Sequence, residues 1–237
     1  MNRRPDNTYV LVAGAWHGAW VWRDVIPVLR GMGHAVSAPT LSGLGERRHT
    51  ANACVGLSTH IEDVVAHIEM EDLHAVTLVG WSYGGMVTTG VAARLPGRIQ
   101  SLIYLDAFVP EPGKALVDYV PAERRPGLEA FKNHDVPIPA YAPEVFGITD
   151  PALVAYITPR LAPQPWRTFF EPLRAAPPPA HIPTSYVYCE GYVGSGFGQF
   201  YNRFKNDPHV RTAVLGSGHH CMLLDPLATV EMLVSLA

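Results

Sequence analysis

Val76-Thr77-Leu78-Val79-Gly80-Trp81-Ser82-Tyr83-Gly84-Gly85-Met86 is the stretch on which the reading of this chain turns. The run 76–79 predicts a buried strand, and Gly84-Gly85 lead into a helix expected over 86–95, ended by Pro96-Gly97. Between them a Gly-x-Ser-x-Gly turn sets one serine at the end of the strand. A hydroxyl is a poor nucleophile unless it is held clear of the fold, beside a base and facing donors for a developing oxyanion. The turn meets the first need: the serine backbone is strained, and the chain packs so closely that side chains at Gly80 and Gly84 would collide. Three fixed positions match by accident in about one chain in ten of this size, so the turn takes its meaning from its surroundings.

Outward from this element, strands and helices alternate. Upstream, Thr8–Val12 is a short apolar strand, followed by the aromatic turn Trp16-His17-Gly18-Ala19-Trp20-Val21-Trp22, a helix to about residue 29 and a strand at 36–38. Thr59 with Glu62 has the spacing of a capping box, and Ile61, Val64, Val65 and Ile68 share one helical face. Downstream, Ile99–Leu105 is an apolar strand ending at Asp106. Strict alternation implies a parallel sheet covered on both faces, with ligands at the carboxyl ends of its strands, where Ser82 and Asp106 both fall. The pattern lapses over 111–182, which is dense in proline, and resumes with a strand at 186–189, a helix at 197–204, a strand at Val210–Leu215, the loop Gly216-Ser217-Gly218-His219-His220 and a last helix at 226–236. The expected fold is an α/β core of six mostly parallel strands, formed by 1–110 and 183–237, with 111–182 inserted as a proline-rich helical lid.

Composition bounds the function. The 237 residues suffice for one sizeable core, and a net charge of −3 gives no basic footprint for nucleic acid or an anionic membrane surface. The polar start, Met1 to Asn7, has no signal-peptide pattern, and no apolar run is long enough to span a bilayer. Cys54, Cys189 and Cys221 are odd in number and widely spaced, which argues against a disulfide framework or a cysteine zinc site and favours a cytoplasmic setting. The eleven histidines show no helical pair beside clustered carboxylates, so neither a metal nor another cofactor is expected. The expected partner is a small molecule, with the chain a monomer or homodimer.

A serine after one strand, an acid after a later one and a histidine after the last give the order found in α/β-hydrolases. In that arrangement His219 takes the proton of Ser82 and passes it to the leaving group, while a carboxylate fixes its tautomer. Val10-Leu11-Val12-Ala13-Gly14-Ala15-Trp16-His17-Gly18-Ala19-Trp20, the serine turn and Gly218-His219-His220-Cys221-Met222 together resemble the α/β-hydrolase branch of plant methylesterases and hydroxynitrile lyases, with bacterial esterases beside them. The resemblance spans nearly the whole chain outside the lid. It implies that the N–H groups of Ala15 and Tyr83 form the oxyanion hole and that His219, not His220, is the base. Where the lyases carry a threonine this chain has Gly14, and where they carry a lysine after the histidine it has His220. Both departures favour ester hydrolysis.

The acid departs from the pattern. In many relatives it follows the strand at 186–189 by about three residues, but that position is Tyr192. Asp106 is the expected acid, with Glu190 the alternative. The expected activity is hydrolysis of a small to medium apolar or aromatic carboxylic ester. A cyanohydrin or C–C lyase on the same fold, or a ligand receptor with vestigial hydrolysis, are the other readings. Trp16, His17, Trp81, Phe108, Phe131, Tyr156 and Trp166 are the expected substrate-binding residues, drawn from the aromatics near the turn and in the lid, where Tyr141, Phe146, Phe169 and Phe170 also stand.

Overall fold

The sheet is built from six parallel strands: β1 (Thr8–Val12), β2 (Ala35–Ser37), β3 (Val76–Trp81), β4 (Ile99–Leu105), β5 (Thr184–Cys189) and β6 (Val210–Leu215), in the spatial order β2-β1-β3-β4-β5-β6. These coordinates are a computed structural model describing residues 7–192 and 196–237. β3 lies in the interior, its residues 76–80 in register with β1 and Val76–Trp81 with β4, and every residue of it is buried. A run that is apolar but for Thr77, whose hydroxyl accepts from Ser101, is what such a position demands, because both faces of the strand are covered.

Alternation sends side chains to two cores. Val10, Val12, Leu78, Leu102 and Tyr104 point to one face, covered by α2 (Leu57–Met70), α3 (Gly84–Arg94) and α7 (Gly198–Phe204). Tyr9, Leu11, Val79, Ile103 and Leu105 point to the other, covered by α1 (Val25–Gly31), α8 (Cys221–Leu224) and α9 (Pro226–Leu236). α2 begins two residues before the expected cap. Gly56, in extended conformation, is its N-cap; Thr59 lies in the first turn and its hydroxyl accepts a hydrogen bond from the Gly56 N–H. A side chain at Gly56 would run into Glu171 and Arg167, so glycine caps the helix and threonine supports it from within.

The chain leaves β1 for the edge strand β2, crosses back to β3 and then proceeds outward in order. This reversal makes β1 and β3 neighbours whose following loops diverge, the crevice where open parallel sheets bind ligands. Residues 111–182, between β4 and β5, carry α4 (Arg125–Asn133), α5 (Pro151–Ile157), α6 (Arg167–Phe170) and several 3-10 turns. Prolines begin α5 and stand in the first turn of α4, where a missing N–H costs no helical bond. The segment is fastened to the loop after β1: Trp16 donates its indole N–H to the Ile138 carbonyl (3.1 Å) and its backbone N–H to Gln164 Oε1 (2.9 Å), while its carbonyl accepts from the Ala162 N–H (3.0 Å). No helix among the described residues is long and apolar enough to cross a membrane.

Candidate active site

Ser82 follows β3 directly with φ +55, a left-handed conformation that costs a non-glycine residue of order 1 kcal/mol or more. It is held there by its neighbours. Its N–H donates to the Leu105 carbonyl (3.3 Å), and its own carbonyl accepts from the N–H groups of Gly85 and Phe108 (3.1 Å each). A β-carbon at Gly84 would lie 2.6 Å from the Val12 carbonyl oxygen, and one at Gly80 would lie 2.8 Å from the Gly84 oxygen. The turn therefore packs as tightly as its glycines imply.

Asp106 follows β4 with φ +43 and is fully buried. Its N–H donates to the Val187 carbonyl (2.7 Å) and its Oδ1 accepts from the Cys189 N–H (3.2 Å). Oδ2 lies 2.6 Å from Nδ1 of His219, which arrives on the loop after β6. A carboxylate only accepts, so Nδ1 carries the proton and Nε2 is left with a lone pair. Nε2 has no hydrogen-bond partner among the described residues, and His219 and Ser82 line one cavity of about 150 Å³. Glu190, the alternative acid, is exposed and touches neither. It leaves the sheet one residue after β5, its N–H bonded to Leu215, whereas the strained turn at Asp106 carries that carboxylate inward.

Two residues with unpaired backbone donors border the same space. The N–H groups of Ala15 and Tyr83 make no hydrogen bond among the described residues, and both residues line the cavity. Trp16, with φ +66, breaks the chain direction just after Ala15, and its own N–H is consumed by Gln164, which leaves the Ala15 N–H without a partner beside the cavity. Ser82, an imidazole oriented by a buried carboxylate and two unpaired amides thus converge at the carboxyl edge of the sheet. That set can activate a hydroxyl, attack a carbonyl and receive the resulting oxyanion. Among the described residues no three His, Cys, Asp or Glu side chains gather where a metal ion would be held.

Of the expected substrate-binding residues, Trp16 and Phe108 line the cavity. The other five do not. The ring of His17 is turned under the loop after β1, with Nδ1 2.6 Å from the Ala15 carbonyl oxygen. Trp81 points to the opposite face of the sheet from its neighbour Ser82 and lies beneath three imidazoles, its centroid 5.0 Å from His17, 5.1 Å from His219 and 4.8 Å from His220. Phe131 packs into the core of the 111–182 segment while Leu128, one helical turn earlier, reaches the cavity. Tyr156 is held outside between the guanidinium groups of Arg23 and Arg160, each 3.9 Å from its ring centroid. Trp166 is drawn outward by a 2.7 Å bond from its indole N–H to Asp135.

The walls are completed by residues the sequence reading left uncommitted or missed: Tyr141, Phe146 and Phe169 from the 111–182 segment, and Tyr192 and Phe197 after β5. Phe197 and Phe146 stack on His219 at 4.8 and 5.7 Å. Tyr192, at the position where the resemblance implies an acid, has its ring 5.4 Å from that of His219; that displaced position was the available signal that it sits beside His219.

The chain is similar to known proteins over nearly its whole length. The chain is 38% identical over 242 residues, 96% of its own length and 98% of the other's, to a carbendazim hydrolyzing esterase of Nocardioides sp. strain SG-4G. It is 30% identical to an alpha-hydroxynitrile lyase of Arabidopsis thaliana over 132 residues, 54% of this chain and 51% of that one. Among solved structures, an extracellular alpha/beta-hydrolase from a Paenibacillus species, described as sharing structural and functional homology with tobacco salicylic acid binding protein 2, superposes with a TM-score of 0.85 at 26% identity, covering 98% of this chain and 99% of that one. A family model for the alpha/beta hydrolase family matches residues 9–232, and with the six-stranded parallel sheet and the serine turn this establishes that the chain belongs to the alpha/beta hydrolase family.

Proposed function

We propose that this enzyme, a carboxylesterase-type hydrolase, cleaves small to medium apolar or aromatic carboxylic esters through Ser82, His219 and Asp106. The observation that carries the reading is the 2.6 Å contact between buried Asp106 and His219 Nδ1, with Ser82 and two unpaired amides on the wall of the same cavity. The ester carbonyl sits with its oxygen toward the N–H groups of Ala15 and Tyr83. Ser82 Oγ attacks, its proton passes to Nε2 of His219, and the tetrahedral oxyanion is held by the two amides. The alcohol departs with that proton. Water, deprotonated by His219, then releases the acid and restores Ser82. Asp106 keeps Nδ1 protonated and stabilises the imidazolium at each stage.

Trp16, Phe108, Tyr141, Phe146, Phe169 and Phe197 make the cavity wall largely aromatic, which supports a flat or apolar acyl or alcohol group. The segment 111–182 acts as the lid, since it supplies much of that wall and is tied to the loop carrying Ala15. Position 14 speaks against the lyase reading. A β-carbon there would stand 2.9 Å from Ser82 Cβ and 3.0 Å from the Trp81 ring, so this backbone has no room for the threonine of the lyases. The test is a panel of p-nitrophenyl esters, aryl methyl esters, carbendazim and mandelonitrile on wild type and Ser82→Ala. Ester turnover lost in the variant is the expected result; turnover retained without the Ser82 hydroxyl, or cyanide release outpacing every ester, overturns the proposal.

A further inference from the structure

Two histidines beside the base have no part in the proton transfers above. His17, on the loop after β1, and His220, on the loop after β6, are buried, and their Nε2 atoms lie 3.1 Å apart. Nδ1 of His17 is 2.6 Å from the Ala15 carbonyl oxygen, which only accepts, so that nitrogen carries the proton. In a neutral ring Nε2 of His17 is then an acceptor and Nε2–H of His220 is the donor. The chain of bonds runs from His220 through His17 to Ala15. Both ends matter: Ala15, whose N–H is unpaired, lines the cavity, and His220 is joined by one peptide to His219.

The sheet alone does not fix these ends relative to each other. β1 and β6 are separated by β3, β4 and β5, four interstrand spacings or roughly 19 Å, and no ladder joins them. Trp81 supplies the floor beneath the link. Its indole N–H donates to the His219 carbonyl (2.8 Å), and its ring packs edge-on against His17 and His220. Nδ1 of His220 is buried with no partner, so this ring is held by the bond to His17 and by aromatic packing against Trp81 and Phe146. A lysine here, as in the lyases, would bury an ammonium against His17 and His219.

We infer that His17 and His220 are positioning residues, a neutral two-imidazole tether that holds the oxyanion donor Ala15 in register with the base His219. The inference rests on the hydrolase reading and makes a narrower claim. Because the tether sets where the transition-state oxyanion meets its donor, cutting it lowers kcat and leaves ground-state binding nearly untouched.

The side-chain amides of asparagine and glutamine separate its two halves: at residue 17 asparagine can place its amide nitrogen near Nδ1 as a donor, glutamine can place its amide oxygen near Nε2 as an acceptor, and at residue 220 glutamine can place its nitrogen near Nε2 as a donor. His17→Asn keeps the bond to Ala15 and loses His220. His17→Gln does the reverse. His220→Phe removes the donor, and His220→Gln restores one. Expected are losses in kcat of roughly tenfold to a hundredfold for His17→Asn, His17→Gln and His220→Phe, with KM within about threefold of wild type and recovery in His220→Gln. Wild-type kcat in folded His17→Asn and His220→Phe overturns the tether, as does an equal loss in His220→Gln and His220→Phe. Should a variant fail to fold, nitrogen-15 spectra of the wild-type imidazoles at pH 7 decide: His17 protonated on Nδ1 and His220 on Nε2 is required, and any other pair of tautomers refutes it. Absence of Ser82-dependent hydrolysis in wild type would sink the hydrolase reading instead and leave the tautomers to judge the tether.

Discussion

Acidification exposes how much of this fold depends on histidines kept neutral. His17 and His60 are buried, and desolvation, the largest cause, lowers each from 6.5 to about 4; burial likewise pushes His220 well below its ordinary value. His60 shows why the neutral form fits: Nε2 donates to the Ser42 carbonyl (2.8 Å) and Nδ1 accepts from the Tyr83 hydroxyl (2.9 Å), which leaves no place for a second proton. As pH falls below 6.5 the unfolded chain takes up protons that the native state refuses until near 4, so stability drops across that window and is fully present above it. For one histidine, going from pH 7.5 to pH 5 costs about 2 kcal/mol. His17 and His60 together lose about 4 kcal/mol of a total of ~5–15 kcal/mol, and His220 adds in the same direction. At ~2–4 °C per kcal/mol for a chain of this size, Tm falls by about 8–16 °C or more. Calorimetric melts at constant ionic strength from pH 7.5 to 5 measure this directly, with His17→Asn as the internal control. That variant should recover about 2 kcal/mol of the pH sensitivity. A Tm that moves less than about 3 °C across this range, or a variant whose melts track wild type at every pH, would show that these imidazoles are not held neutral by the fold.

Other perturbations separate the parts of the site. Asp106→Asn should lower kcat by about four orders of magnitude, as loss of the orienting carboxylate does in serine proteases, whereas Glu190→Gln leaves it unchanged; the reverse pattern in ester assays would move the acid to Glu190. Gly14→Ala forces a β-carbon against Ser82 and the Trp81 ring, with an expected cost of about 1–3 kcal/mol in chemical denaturation and a fall in kcat of at least about tenfold; wild-type kinetics in this variant would mean that the loop relaxes freely. Phe146→Ala opens the cavity beside His219 and should raise kcat/KM for branched or bicyclic acyl esters over acetates by roughly tenfold. An unchanged acyl preference would place the acyl group elsewhere.

The parallel sheet was legible because its interior strands are buried on both faces and so read as largely apolar runs, and because alternation with helices leaves few ways to connect them. The serine turn was legible from its glycines, whose missing side chains make room for backbone at 2.6–2.9 Å. The cavity wall was not. Its aromatics come from irregular segments, where side-chain direction follows from contacts far along the chain: Asp135 draws Trp166 outward, and Arg23 with Arg160 holds Tyr156 on the surface. Composition marks such residues as aromatic and says nothing of where they point. His17 lies two residues from Ala15, which lines the cavity, yet its own ring is turned back onto the Ala15 carbonyl after the left-handed turn at Trp16.

Backbone strain is the physical thread connecting these positions. Of the described non-glycine residues with positive φ, Ser82 and Asp106 directly follow β3 and β4 and Trp16 lies in the loop after β1; Trp16 and Ser82 line the cavity and Asp106 bonds His219, which also lines it, whereas Asp72, Ala75 and Asp135 lie away from it. A strand end that relaxed to its preferred conformation would carry Asp106 away from His219 Nδ1 and Ser82 away from the cavity wall. Each strained residue is accordingly bound through its backbone to a neighbouring element: Trp16 to Gln164 and Ala162, Ser82 to Leu105, Asp106 to Val187. The rigidity of the parallel core is thereby spent on three unfavourable turns. The 111–182 segment takes part in that restraint through Trp16, so removing Gln164 Oε1 should loosen Ala15 as well as the cavity wall. The same segment that lines the cavity thus also restrains the loop that carries Ala15.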